Sequence, residues 1–127
     1  MCLDKQPSDN TANEYGAAWD ARWKRWKPYY GNATEQRLAA PVSRIYQLES
    51  KNSTGFLRTT DQINGEESQR VRFYTFCLFH ANKAVCGDGQ SRFLNEPKGD
   101  FLPFILRILR SVEFIDSPGK PDKGAKP

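Results

Sequence analysis

Residues 70–94, RVRFYTFCLFHANKAVCGDGQSRFL, constrain the fold more than any other part of the chain. Val71, Phe73, Thr75, Cys77 and Phe79 fall on one side of an extended run, and Tyr74, Phe76 and Leu78 on the other. β-branched and aromatic residues on both sides describe a strand inside a sheet. A two-residue turn at Ala81 and Asn82 sets His80 opposite Lys83 and, three pairs further on, Cys77 opposite Cys86. The closing pair of such a hairpin is hydrogen-bonded and the pairs then alternate. Cys77 and Cys86 therefore occupy a non-hydrogen-bonded position, where Cα atoms approach to about 4.5 Å. A disulfide can span that separation. The expectation is a cross-strand disulfide and an oxidising compartment; the competing reading is a pair of buried free thiols. His80 and two cysteines do not make a zinc ligand set, and no cofactor is expected.

Residues 42–49 and 54–60 read as two further strands around the turn Ser50-Lys51-Asn52-Ser53. Residues 84–94 read as the partner of the cysteine strand, with a bulge or bend at Gly87-Asp88-Gly89. Phe101, Leu102, Phe104, Ile105, Ile108, Leu109 and Val112 then recur at helical spacing behind Asp100 as N-cap. Pro103 is tolerated in the first turn, and Arg107 and Arg110 suit the negative end of the helix dipole. Residues 113–116 read as a short extended piece. Nearer the start, Tyr15, Trp19, Trp23, Trp26 and Tyr30 recur every third or fourth residue. That spacing predicts a helix with one aromatic face, ended near Lys27 by Pro28. The expected class is α+β, an antiparallel sheet packed by an N-terminal and a C-terminal helix. Residues 1–14 are expected to be a flexible tether, 15–116 a single domain and 117–127 a disordered tail, because neither end carries enough apolar surface to order itself.

Of 127 residues, 38% are hydrophobic, enough for one core. No apolar run approaches the roughly 18 residues that span a bilayer. The net charge of +4 falls short of the dense basic stripe of a nucleic-acid binder. The interleaved rings and cations from Trp19 to Lys27 could stack on bases and track phosphates. The helical spacing instead turns the rings to one side and most charges to the other, so a core stripe is expected and no nucleic acid. Catalytic signals are weak. Glu66 and Glu67 are adjacent loop acids of the solvated kind, and His80 has no nucleophile beside it in sequence. No GxSxG, HExxH or phosphate-cradling glycine loop is present. The chain is expected to bind, not to catalyse. Asn32 and Asn52 begin glycosylation sequons, which matter only in a eukaryotic secretory pathway.

Cys2 followed by the polar stretch 3–13 and a folded unit resembles a bacterial lipoprotein without its signal peptide. The resemblance implies lipidation at Cys2 and a domain standing off the membrane. The run Phe104-Ile105-Leu106-Arg107-Ile108-Leu109-Arg110-Ser111-Val112-Glu113-Phe114 resembles the C-terminal element of Mog1/PsbP-like domains. The whole chain resembles the periplasmic immunity proteins of type VI secretion systems, in particular those that neutralise muramidase effectors. This implies a one-to-one complex with a cognate secreted cell-wall hydrolase, whose substrate groove it occupies. It also implies a periplasmic location, with membrane contact only through Cys2. On that resemblance, loops on a rigid sheet would supply the plug. The first choice is the 61–69 loop, with Asp61, Gln62, Asn64, Glu66 and Glu67 as contacts and Gly65 for backbone reach. The second is 95–99, with Asn95 and Lys98. The alternative is an envelope lipoprotein acting as a secretion or assembly accessory factor.

Overall fold

Alternating apolar residues and short turns make the middle of the chain a strand meander, flanked by helical pieces. The computed structural model describes residues 7–96 and 99–115. Along them run α1 (Pro7–Glu14), β1 (Ala17–Asp20), β2 (Arg25–Pro28), α2 (Ala33–Ala39), β3 (Ser43–Glu49), β4 (Thr54–Asp61), β5 (Val71–His80), β6 (Lys83–Phe93) and α3 (Leu102–Arg110). Short 3-10 turns occupy Ala40–Val42 and Glu67–Gln69. The four strands β3-β4-β5-β6 pair in chain order, all antiparallel. The β3–β4 and β5–β6 turns therefore lie at one end of the sheet. The β4–β5 loop and the β6–α3 connection lie at the other.

The cysteine hairpin has the expected register. Cys77 pairs with Cys86 across β5 and β6, His80 pairs with Lys83, and a disulfide joins the two cysteines at a Cα separation of 4.1 Å. Ala81 takes the left-handed conformation, with φ of 55°, that a tight hairpin turn requires. The bridge closes a short loop, so replacing both cysteines by serine lowers stability by about 2–3 kcal/mol. Urea melts of the oxidised protein and the double variant measure the difference.

Each face of the sheet carries its own apolar cluster. On one, Leu48, Leu57 and Leu78 pack with Leu102, Leu106 and Leu109 of α3, and Tyr46, Tyr74, Phe76 and Ile105 border them. On the other, Phe56 and Cys77 pack with Ala12 of α1, Ala17 of β1 and Trp26 of β2. The antiparallel sheet is thus layered between α3 and an N-terminal unit of one short helix and a two-stranded hairpin. The segment after α3 extends over the β3–β4 turn, where the Asn52 side-chain amide donates to the Phe114 carbonyl at 2.7 Å and Phe114 N–H donates to Asn52 Oδ1 at 2.8 Å.

Several expectations are corrected. The aromatic stripe is not a helix. It folds into the hairpin β1–β2, with Trp19 opposite Trp26. Spacings of three and four also fit two short strands when the chain reverses between them, and it does so at 21–24. There Asp20 Oδ1 accepts the N–H groups of Arg22 and Trp23 (3.0 and 3.2 Å), and Lys24 has φ of 54°. Trp26 is buried at 7% exposure, whereas Trp19 and Trp23 are 46% and 66% exposed. The expected 1–14 tether is helical over Pro7–Glu14 and is seated by Ala12, which is fully buried; a small residue in a polar stretch leaves no signal of packing. Residues 1–6, with Cys2, and the 117–127 tail lie outside the described residues.

The glycines of β6 are not a bulge. Gly87 and Gly89 stay in register with Phe76 and Tyr74, and a Cβ at either would meet those rings at 2.8 and 2.7 Å. They are small because cross-strand aromatic rings lie over them. The register shift falls further on, where Phe73 pairs with Gln90 and Arg72 with Arg92, leaving Ser91 unmatched. α3 begins one residue later than expected: Phe101 is the N-cap, and Asp100 Oδ1 accepts Leu102 N–H at 3.0 Å. α2 was not expected. Its sequence signal is Asn32, whose side chain accepts Glu35 N–H at 2.8 Å as N-cap.

Candidate partner-binding site

The two candidate loops meet at one end of the sheet. Asp61 closes β4 and forms a bidentate pair with Arg72 of β5, at 2.6 and 3.1 Å. Arg72 also faces Asp100, just before α3, at 3.6 Å. One arginine therefore ties the 61–69 loop to the 95–99 connection. Its pKa is raised above the usual arginine value, chiefly by the hydrogen bond to Asp61 and also by the two carboxylate charges, against partial burial. Asp61 and Gln62 hold the loop more than they present it. Gln62 N–H donates to the Val71 carbonyl at 3.0 Å, and Gln62 Oε1 accepts Val71 N–H at 3.2 Å. Beyond them Ile63, Asn64, Glu66 and Glu67 are exposed. Gly65 turns the loop with φ of 85°, and its carbonyl accepts Arg70 Nε–H at 3.3 Å. Asn95 is exposed beside Glu96, and Lys98 lies outside the described residues.

Between the loops lies a shallow groove of about 620 Å³, lined by Gln62, Ser68, Gln69, Val71, Phe73, Gln90, Phe93 and Glu96. Its lining is mostly polar but includes two rings absent from the expected contacts: Phe73 is 41% exposed and Phe93 47%. The alternation of β5 places Phe73 on the hairpin face, yet alternation does not say how far along the strand the covering layer reaches. The chain offered one indirect sign: a ten-residue strand is longer than the four-residue strands of the hairpin that covers it. Of the expected contacts among the described residues, only Gln62 lines the groove; Glu66 and Glu67 are exposed in the bordering loop, and Glu96 is the acid in the lining. Exposed aromatic rings set among polar side chains suit a protein-docking surface.

A second hollow of about 380 Å³ lies on the same face nearer the hairpin base, with Tyr15, Tyr29, Glu35, Arg58, Thr60 and Phe73 in its wall. Arg58 is 8% exposed. Its Nη1 donates to the carbonyls of Gly16 and Tyr29, both at 3.0 Å, its Nη2 donates to Ser43 Oγ at 3.3 Å, and the guanidinium lies 4.8 Å from the Tyr30 ring centre. Burial pushes its pKa down, opposed by the charges of Tyr30 and Glu35. These contacts make Arg58 the clamp that closes the base of the hairpin onto β4.

His80 stands at the far end of the sheet. Its Nδ1 is 2.6 Å from the Asn52 carbonyl, and its ring stacks on Phe114 at 5.3 Å. Asn32 and Asn52, the sequon residues, both use their side chains in hydrogen bonds, Asn32 to Glu35 within its own turn and Asn52 to the distant Phe114. Among the described residues, no group of three or more His, Cys, Asp or Glu is placed to hold a metal ion, and no helix is long and apolar enough to cross a membrane. Compared with protein-family models, curated proteins and solved structures, the chain gives no match.

Proposed function

We propose that this protein is a stoichiometric binding module of an oxidising compartment, docking a partner protein through the groove between the 61–69 and 95–99 segments. The observation that carries the reading is the convergence of those two segments, about thirty residues apart in sequence, around two exposed phenyl rings on a disulfide-bonded sheet. In its full form the proposal is a periplasmic immunity protein of Mog1/PsbP-like fold, lipid-anchored at Cys2. It occludes the active-site groove of a type VI secreted muramidase and protects the producing cell. The C-terminal pattern from Phe104 to Phe114 supports that form.

Glu96 in the lining and the exposed Glu66 and Glu67 in the bordering loop fit a partner surface that carries basic side chains, since complementary charge speeds encounter and fixes register. Glu66 and Glu67, in the loop beside the groove, serve as outer contacts here, and the protein has no turnover of its own. Calorimetric titration with secreted muramidase effectors of the source organism tests the proposal. A one-to-one complex with Kd below about 100 nM is expected. Absence of heat and of a co-eluting complex contradicts it.

A further inference from the structure

The β1–β2 hairpin does more than cover the sheet. Residues 17–28 hold four cations, Arg22, Lys24, Arg25 and Lys27, and one acid, Asp20. All four cations are exposed. Asp20 Oδ1 is engaged with the N–H groups of the turn, at 3.0 and 3.2 Å. Most of the chain's net charge of +4 is therefore concentrated on a single narrow projection. At its tip Trp23 is the most exposed tryptophan of the protein, at 66%. An exposed tryptophan on a projection rich in Lys and Arg has the composition of an anchor at a membrane interface.

We propose that this tip is a docking site for an anionic lipid bilayer surface. Tryptophan prefers the headgroup layer, where its ring is half buried and its N–H stays hydrated, and clustered Lys and Arg are drawn to acidic headgroups. The ring geometry favours lipid over nucleic acid. Base stacking needs open, side-by-side ring faces. Trp19 is instead held edge-on to Trp26, at 5.2 Å and 67°, and the Arg22 guanidinium lies 5.4 Å from the centre of the Trp23 ring.

The tip also points away from the partner groove. At the hairpin base the Tyr29 carbonyl sits on Arg58, and further along Trp26 stacks on Phe56 and Phe79, toward the β3–β4 and β5–β6 turns. The chain direction carries residues 21–24 toward that end of the sheet. The groove opens at the opposite end, so a protein seated on a membrane by Trp23 presents Phe73 and Phe93 to the space beyond.

Co-sedimentation with vesicles tests this without any partner protein. Phosphatidylcholine vesicles are compared with a phosphatidylcholine–phosphatidylglycerol mixture of about two to one. Partitioning onto the acidic vesicles is expected to be at least about tenfold stronger, with a blue shift in tryptophan emission. Lys24→Glu with Arg25→Glu removes at least about tenfold of it, and Trp23→Ser abolishes the emission shift. These positions are exposed, and an unchanged melting transition shows that each variant is folded. Equal binding to neutral and acidic vesicles, no binding to either, or no effect of the charge reversal overturns the proposal. Binding to single-stranded oligonucleotides more tightly than to acidic vesicles, at the same salt and with the same variants affected, overturns it in favour of a nucleic-acid site.

Discussion

Replacing Trp26 by alanine lowers stability by about 3–5 kcal/mol, the range for removing a large buried ring. Trp26 bridges the hairpin to the sheet. Its ring centre lies 5.2 Å from those of Trp19, Phe56 and Phe79 alike, and it is 7% exposed. Its backbone is held separately: Gln47 Oε1 accepts Trp26 N–H and Gln47 Nε2 donates to the Trp26 carbonyl, both at 2.7 Å. Those bonds survive the substitution, so the loss reports the ring alone. Trp23→Ala, at the exposed tip, changes stability by no more than about 0.5 kcal/mol. Urea unfolding of the two variants separates the hairpin from the helical alternative. A helix with a buried aromatic face would lose heavily at both positions.

Replacing Phe73 and Phe93 together by alanine weakens partner binding by at least about 100-fold, or about 2.8 kcal/mol, because aromatic anchors at the centre of an interface carry most of its energy. Both rings stand at one end of the sheet, outside the two clusters of buried side chains, so the double variant keeps its fold. Single substitutions at Glu66 or Glu67 act more weakly. They are exposed in the loop beside the groove and outside its lining, where a charge alters mainly the association rate and its dependence on salt. A titration of the wild type and these variants at two ionic strengths distinguishes the rings from the outer charges.

The cysteine hairpin was legible because antiparallel pairing is arithmetic: once Ala81 and Asn82 are the turn, every opposite residue follows, and Cys77 meets Cys86. The strands β3 to β6 and α3 were legible from alternation and from the Phe101–Val112 periodicity, each to within a residue or so. The tryptophan segment was not, because a helical period and a reversed pair of strands share the spacing of Trp19, Trp23 and Trp26. The deciding signal was Asp20, an Asx-type turn former inside the supposed helix. α1 was hidden because it packs through one alanine, Ala12. In the groove, Gln62 was visible as a polar loop residue, but Phe73 and Phe93 read as core. Burial at a strand end depends on how far the opposing layer extends, and that is a tertiary property.

Peptidoglycan hydrolysis by a type VI secreted muramidase from the same cell, the partner class proposed, followed as the protein is added stepwise, tests the central claim most directly. If the protein is a groove-occluding inhibitor, the rate falls in proportion to the protein added and reaches zero near one equivalent. A rate unchanged in large molar excess, with the Cys77–Cys86 bridge intact, would contradict the account.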